Sequence, residues 1–212
     1  MSELTFAIAG SSPDRYAAFP QLALRVRVTE STGVPVYAIA LRAQVRIEPA
    51  RRRYDGGEPG KLLELFGGPE RYGDTLRSLL WGHVSQTVLA FENQTEFDLP
   101  VPVSYDFEVA ANKYLSALEG GEIPLVAMFS GTVFVRGENG IATELVPWTC
   151  EAHYRMPLSV WRDSIEAFFP NSAWLRIDRE TFDELYRFKT AGGFATWEAA
   201  LERLLAEAKS PQ

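Results

Sequence analysis

The sequence predicts an α+β protein with an antiparallel β-sheet or β-sandwich core and C-terminal helices packed against it. In the first part of the chain, apolar and polar residues alternate with period two over long stretches, as in strands with one buried face. From residue 157 onward, apolar residues recur at helical spacing instead. Strands first and helices last are typical of α+β chains.

The 212 residues are enough to bury a substantial core. We expect one compact unit with two parts. Residues 1–156 form the antiparallel β-rich core with short helical insertions, and residues 157–212 form a helical segment packed on that core. The sequence contains no internal repeat and no low-complexity linker that would suggest a further domain.

The strongest strand pattern runs from Leu22 to Ile47. Apolar residues alternate with polar ones on both sides of a turn at residues 30–33. Gly33 can adopt a positive φ at little cost, which suits a chain reversal. We therefore predict a long antiparallel hairpin with one buried face and one face that carries four arginines.

The other elements of the core follow from the same patterns. We predict helices at residues 61–66, 74–82 and 110–118, and strands at residues 4–9, 84–91, 97–109, 123–136 and 143–156. Asp74 is the expected N-cap of its helix. Because of Pro100 and Pro102, part of their strand lies at a sheet edge or bends away, and Pro147 bends the last strand. Gly131 marks a bulge or the close approach of another backbone.

Three helices are predicted after Pro157. The first is amphipathic and ends at Pro170. Asp178 can cap the second helix, and Thr196 can cap the third.

Composition narrows the class of protein. With 28 acidic and 21 basic residues, the formal charge is −7, which argues against general binding to nucleic acid or anionic membrane. No apolar run reaches the roughly 18 residues needed to span a bilayer. The N-terminus has no signal-peptide pattern, and the single cysteine, Cys150, excludes an internal disulfide and suits a reducing compartment. A cytoplasmic location is expected.

The arginines are the first candidates for function. Arg25, Arg27, Arg42 and Arg46 fall on the outer face of the predicted hairpin, and Arg51, Arg52 and Arg53 follow it. Their ordinary role would be cross-strand ion pairing with the acidic face formed by Glu96, Asp98, Asp106 and Glu108. The functional alternative is a basic surface that docks an acidic partner.

An aromatic loop is the second candidate. Aromatic residues crowd the segment from Trp148 to Trp197, and most are expected to be core. Phe169 and Trp174 lie between two predicted helices, where they could anchor a partner protein.

The sequence gives little support for catalysis. It contains no nucleophile elbow, phosphate loop or dinucleotide fingerprint. Cys150 and His153 would face opposite sides of a strand, so a metal site there is not expected. We predict a non-enzyme without catalytic residues, metal or other cofactor. A hydrolase or small-ligand binder with its site between sheet and helices is the rival, and a deep pocket collecting His83, His153 or carboxylates would favour it.

Four stretches carry a resemblance to a known family: RVRVTESTGVPVYAIALRAQVRIEPARRRY, LPVPVSYDFEVAANKYL, FSGTVFVRG and VPWTCEAHYRMPLSVWRDSIEAFFPNSAWLRIDRETFDELYRFK. The chain resembles, from Phe6 to Leu205, an uncharacterised bacterial family whose genes lie beside those of nickel–iron uptake hydrogenases. The resemblance implies an accessory, assembly or maturation role, and it brings no catalytic residues. The expected partner is then a hydrogenase subunit or precursor, and a homo-oligomer is left open.

A second, local resemblance links VYAIALRAQVRI and FPNSAWLRIDRETFDELY to SecB-type export chaperones. This resemblance implies a chaperone that holds unfolded clients. The present chain differs from that family in having more strands between the two stretches and a longer tail.

Overall fold

A computed structural model describes residues 2–103, 110–137, 140–172 and 176–209. Within them the strands are β1 (Leu4–Pro13), β2 (Gln21–Glu30), β3 (Val36–Ile47), β4 (Leu79–Val88), β5 (Gln94–Pro102), β6 (Glu122–Gly137), β7 (Gly140–Leu145) and β8 (Glu151–Pro157). The α-helices are α1 (Glu58–Lys61), α2 (Leu63–Phe66), α3 (Tyr72–Thr75), α4 (Ala110–Ala117), α5 (Leu158–Glu166), α6 (Arg179–Ala191) and α7 (Trp197–Lys209). Short 3₁₀ turns cover Pro49–Arg51 and Pro69–Arg71.

The fold is α+β, with two antiparallel sheets that enclose a shared core. One sheet has the order β1-β2-β5, and the other has the order β4-β3-β6-β7, with β8 also pairing with β6. The alternating apolar residues of both sheets form one buried cluster, as in a β-sandwich. The rings of Phe6 on β1 and Phe129 on β6 stack across it with their centroids 4.4 Å apart.

The predicted hairpin between residues 22 and 47 is wrong, although both of its strands exist. β2 pairs with β1 and β5, whereas β3 pairs with β4 and β6 in the other sheet. The side chain of Glu30 accepts hydrogen bonds from the backbone N–H groups of Thr32 and Val34, each 3.0 Å long. These bonds fix a loop that carries the chain from one sheet to the other.

β6 is the common partner of three strands in the larger sheet. It pairs with β3 along one side, and with β7 and then β8 along the other. The single strand predicted at residues 143–156 with a bend at Pro147 is instead two strands, because β7 ends before Pro147 and β8 begins after it. Gly131 allows the predicted close approach: with φ at +143°, a Cβ at this position would lie 2.1 Å from the carbonyl oxygen of Ala40.

The helix predicted at residues 74–82 is wrong. Only α3 is helical in this region, and β4 begins at Leu79. Leu79 packs against the core from the sheet, and pairing with β3 outweighs the helical spacing of the leucines. The edge position of the strand bearing Pro100 and Pro102 is confirmed, since among the described residues β5 pairs with β2 alone. Residues 104–109 of the predicted strand lie outside the described residues.

Two connections build a helical layer beside the larger sheet. The β3–β4 connection contains α1, α2 and α3, and the β5–β6 connection contains α4, which contacts α2 and β4. Tyr114 of α4 is fully buried and meets Phe66 of α2 edge to face. The layer therefore brings together segments about fifty residues apart in the chain.

Two compact units can be distinguished along the chain, Met1–Trp174 and Leu175–Gln212. In the first unit, α5 packs against β1, β2 and β8. In the second, α6 and α7 form a helical pair around Phe182, Tyr186 and Trp197. The division at residue 157 within one compact unit stays a prediction.

The predicted caps of the last two helices are confirmed. Asp178 accepts a hydrogen bond from the backbone N–H of Thr181, and Thr196 accepts one from that of Ala199. Among the described residues, no helix combines the length and apolar character that crossing a bilayer requires.

Candidate functional site

Two of the predicted docking arginines are paired with acidic residues. Arg25 and Arg27 on β2 lie opposite Asp98 and Glu96 on β5. The ion pairs are short, with 2.7 Å between Arg25 Nε and Asp98 Oδ1 and 2.6 Å between Arg27 Nη2 and Glu96 Oε1. The cross-strand pairing considered for the arginine face is confirmed for these two residues, and their charges are locally balanced.

Arg42 and Arg46 lie on β3, in the other sheet, so the four arginines do not share one face. This corrects the expectation of a single basic ribbon. Arg46 donates to the hydroxyl of Ser78 over 2.7 Å and to the carbonyl of Ser78 over 3.3 Å. Arg42 is exposed beside Ser85 in a shallow depression of the sheet surface.

The remaining arginines line an open cleft of about 680 Å³ next to the helical layer. One wall is the segment that follows β3, and the other is the segment between α4 and β6. The cleft is lined by Arg51, Arg52, Arg53, Asp55, Gly56, Glu58, Glu119, Gly120, Gly121, Glu122 and Arg155. We call it the arginine cleft. Arg155, which sequence analysis missed, comes from β8, about a hundred residues after Arg51.

Arg52 holds the two walls of the arginine cleft together. Its side chain is only 10% exposed, and it forms a 2.6 Å ion pair with Glu58, which is 5% exposed. The guanidinium also donates to the backbone carbonyls of Gly120 and Glu122, in both cases over 2.8 Å. Glu58 in turn accepts from the backbone N–H of Glu119 over 2.8 Å. We call this set of bonds the Arg52 clamp. It gives Arg52 a structural role, and the guanidinium is not available for docking a partner.

Two hydrogen-bonded tyrosines, Tyr54 and Tyr114, lie next to the Arg52 clamp. The hydroxyl of Tyr54 donates to the carbonyl of Pro49 over 2.7 Å and lies 2.9 Å from the hydroxyl of Tyr114, which must then donate to it. The Arg52 guanidinium lies 5.8 Å from the centre of the Tyr54 ring. Burial raises the pKa of Tyr114 to about 12 and raises that of Tyr54 further. Both phenols therefore stay protonated at neutral pH and serve as structural donors.

Arg51 is held by β8 on the rim of the cleft. Its Nη1 lies 3.1 Å from Nδ1 of His153, and Nε2 of His153 lies 3.1 Å from Glu151. A guanidinium can only donate, so Nδ1 accepts and Nε2 carries the proton given to Glu151. Arg155 donates to the carbonyl of Arg51 over 3.4 Å. Arg53 is exposed and makes no ion pair with any residue that the structure describes.

The charges around the cleft are mixed. Arg52 and Glu58 neutralise one another, and Glu119 pairs with Lys61 over 3.0 Å. Three guanidinium groups, of Arg51, Arg53 and Arg155, then face the carboxylates of Asp55 and Glu122. The arrangement can bind carboxylates or phosphates through paired N–H donors, with acidic groups beside them that restrict which anions fit.

The aromatic loop is only partly described. Phe169 is half-buried just after α5, and Trp174 lies outside the described residues. A different apolar surface was missed by sequence analysis: Ile141 and Leu145 on β7 are 70% and 79% exposed, and Trp148 is 91% exposed. Their alternating pattern looked like that of a core strand.

Cys150 and His153, the residues considered for a metal site, lie in different environments. Within the described part of the chain, no three His, Cys, Asp or Glu side chains come together as metal ligands. Cys150 is buried and donates to the carbonyl of Leu4 over 3.5 Å, and burial raises the pKa of its thiol. His153 is exposed on the opposite side of the strand, as the sequence predicted.

Solved structures show only distant likeness. The CARDB domain of a Pyrococcus furiosus protein, solved with di-metal ions, is 15% identical; the match covers 74% of this chain and 92% of that domain, with a TM-score of 0.29. The putative ApaA protein from Bordetella pertussis is 19% identical over 74% of this chain and 95% of its own, with a TM-score of 0.26.

A β-glucosidase from Thermotoga neapolitana, solved with α-D-glucose, is 12% identical over 73% of this chain but only 17% of its own, with a TM-score of 0.29. TM-scores this low carry no argument about function. Comparison with curated proteins finds no match. One family model matches residues 1–212, and the chain therefore belongs to DUF6084, a family of unknown function.

Proposed function

We propose that this protein is a non-catalytic, cytoplasmic accessory protein that binds another protein, and that the arginine cleft receives an acidic segment of that partner. The observation that supports this proposal is the convergence of Arg51, Arg53 and Arg155 on one open cleft. Guanidinium groups bind carboxylates through two parallel N–H donors, and they lose less hydration than ammonium groups when they do so.

The Arg52 clamp favours recognition by a preformed site. It ties both walls together through a buried ion pair and two backbone carbonyls. A partner segment then meets groups that already lie at their binding distance, so less conformational entropy is lost on association.

The mixed charges favour a protein over a polyanion. Asp55 and Glu122 lie among the arginines, and the whole chain carries a charge of −7. Both features repel a continuous phosphate backbone. A protein segment can place its carboxylates against the arginines and a basic or neutral residue against Asp55 or Glu122.

We propose a nickel–iron hydrogenase subunit or its precursor as the partner. The support for this choice is the resemblance to a family whose genes lie beside uptake hydrogenase genes. An assembly role requires binding without chemistry, and the carboxylate of Glu58 and the hydroxyls of Tyr54 and Tyr114 are engaged in structural hydrogen bonds.

Affinity purification from the native cell, followed by mass spectrometry, tests the cleft. The test variant is Arg53→Gln/Arg155→Gln, which removes two exposed guanidinium groups from the cleft. The matched control is Arg25→Gln/Arg27→Gln, which removes two exposed guanidinium groups on the smaller sheet. We expect the wild type and the control to retain one partner and the cleft variant to lose it. Equal recovery by both variants, or no stable partner at all, would refute the cleft as the docking site.

Deletion of the gene tests the identity of the partner. We expect the deletion strain to accumulate unprocessed hydrogenase and to lose uptake activity, and the cleft variant should fail to restore it. Normal hydrogenase assembly in the deletion strain would exclude this partner. Suppression of aggregation for unrelated unfolded proteins would instead support the SecB-like role.

A further inference from the structure

β7 is an edge strand of the larger sheet. Among the described residues it pairs with β6 along one side, and none pairs with the backbone groups of its other side. The N–H of Val146, just past the strand, donates to the carbonyl of Gly131 on β6 over 3.0 Å. Because backbone groups alternate in direction along an antiparallel strand, those of Ile141, Thr143 and Leu145 point away from β6.

The side chains of the same three residues are exposed on the outer face of the sheet. Ile141 and Leu145 are apolar, and Thr143 between them is uncharged. The intervening Ala142 and Glu144 are half-buried on the other face. The edge therefore offers unpaired backbone groups together with a short apolar strip.

The other edge strands in the described part of the chain carry the features that prevent edge-to-edge pairing. β5 has charged residues and prolines, β8 has charged residues on its exposed face, and β1 and β4 are each interrupted by a register shift. The residues concerned are Glu96, Asp98, Pro100 and Pro102 on β5, Glu151 and Arg155 on β8, Ile8 and Gly10 on β1, and Leu80 and Gly82 on β4. β7 has no proline, no register shift and no charge on its exposed face.

We propose that β7 pairs with β7 of a second copy of this chain, antiparallel and about a twofold axis at Thr143. In this register Ile141 lies opposite Leu145 of the partner subunit, so each apolar side chain meets another. Two Thr143 residues meet on the axis without repulsion. The pairing forms about six backbone hydrogen bonds and joins the two larger sheets into one.

The sequence around β7 selects this register and this occupant. An axis at Ile141 would place Leu145 opposite Gly137, which is the last residue of β6 and not part of β7. An axis at Leu145 would place Ile141 beyond Pro147, where the strand has ended. The axis at Thr143 pairs residues 141–145 with the same five residues of the second copy, as an isologous interface requires. Because the strand is short, the dimer depends on protein concentration.

The test uses the full chain in sedimentation equilibrium over a concentration series. We expect the wild-type mass to rise from 23.7 kDa toward twice that value. Thr143→Lys and Thr143→Glu should each remain monomeric, because each places like charges together on the axis. A 1:1 mixture of the two variants should dimerise again, since the charges are then opposite.

Thr87→Lys is the matched control, because Thr87 is an exposed threonine on the edge strand β4; it should dimerise like the wild type. Circular dichroism of all variants should match the wild type, since both threonines are exposed. A wild type that stays monomeric overturns the proposal. Lysine and glutamate variants that dimerise as well as the wild type, or a mixture that does not dimerise, overturn it as well.

Discussion

Removal of the Arg52 guanidinium is the most direct perturbation of the arginine cleft. In Arg52→Met the side chain keeps most of its length but loses its charge and its donors. Glu58 then stays buried, and among the described residues the N–H of Glu119 is the hydrogen-bond donor that remains to it. The carbonyls of Gly120 and Glu122 lose a charged donor as well.

The expected cost follows from the burial of the pair. Breaking a buried ion pair by removing one partner costs about 3–5 kcal/mol. The Nε of Arg52 is itself buried without an acceptor among the described residues, so its removal relieves part of that cost. We expect the free energy of unfolding to fall by about 2–4 kcal/mol. Replacing both partners, in Arg52→Met/Glu58→Leu, should recover much of the loss, because no buried charge remains.

Urea unfolding at neutral pH, followed by tryptophan fluorescence, measures the change. Arg27→Met is the matched control: its pair with Glu96 is about half exposed, and exposed pairs contribute less than about 1 kcal/mol. If Arg52→Met unfolds at the same midpoint as the control, the clamp is no stronger than a surface ion pair. The argument for a preformed cleft would then fail.

Two further predictions concern Glu30 and Gly131 in the sandwich. Burial opposes ionisation of Glu30, but hydrogen bonds to its carboxylate outweigh burial and lower its pKa from 4.5 to about 2. The ionised carboxylate therefore stabilises the fold fully above pH 4.5, and this contribution is lost as the pH falls toward 2. Glu30→Gln should therefore flatten the stability profile in that window, and an unchanged slope in acid unfolding curves would exclude the role of this carboxylate. Gly131→Ala should lower the melting temperature sharply, because the new Cβ would overlap the carbonyl of Ala40. Gly73→Ala is the control and should change the melting temperature little, because a Cβ there meets nothing within 4 Å. Equal melting temperatures for the two variants would contradict the close approach of Gly131 to Ala40.

The sequence predicted strands and caps better than strand partners. Period-two alternation located both β2 and β3, because one face of each is buried. It could not decide which strands they pair with, since every strand has two edges and a turn such as residues 31–35 can either reverse the chain or carry it to another sheet. The buried carboxylate of Glu30 decides between these outcomes, and its partners are visible only in three dimensions.

The candidate site was predictable only in part. The run from Arg51 to Arg53 was visible in the sequence, but all three residues looked alike. The structure buries Arg52 and leaves Arg53 exposed. Arg155 joins them from a distant strand, which local patterns cannot show. The exposed strip on β7 was missed for a related reason: an apolar face at a free edge has the same alternation as an apolar face in the core.

The position of β6 in the chain has a consequence during protein synthesis. β3 finishes at residue 47, and its central partner β6 begins at residue 122. At about 5–20 residues per second, the ribosome needs roughly 4–15 s to make the 75 or so residues between them. For that interval the nascent β3 has no central partner, and its apolar face stays open to chaperones and to neighbouring chains. Slowed translation across this stretch should therefore lower the yield of folded protein without any change in the sequence.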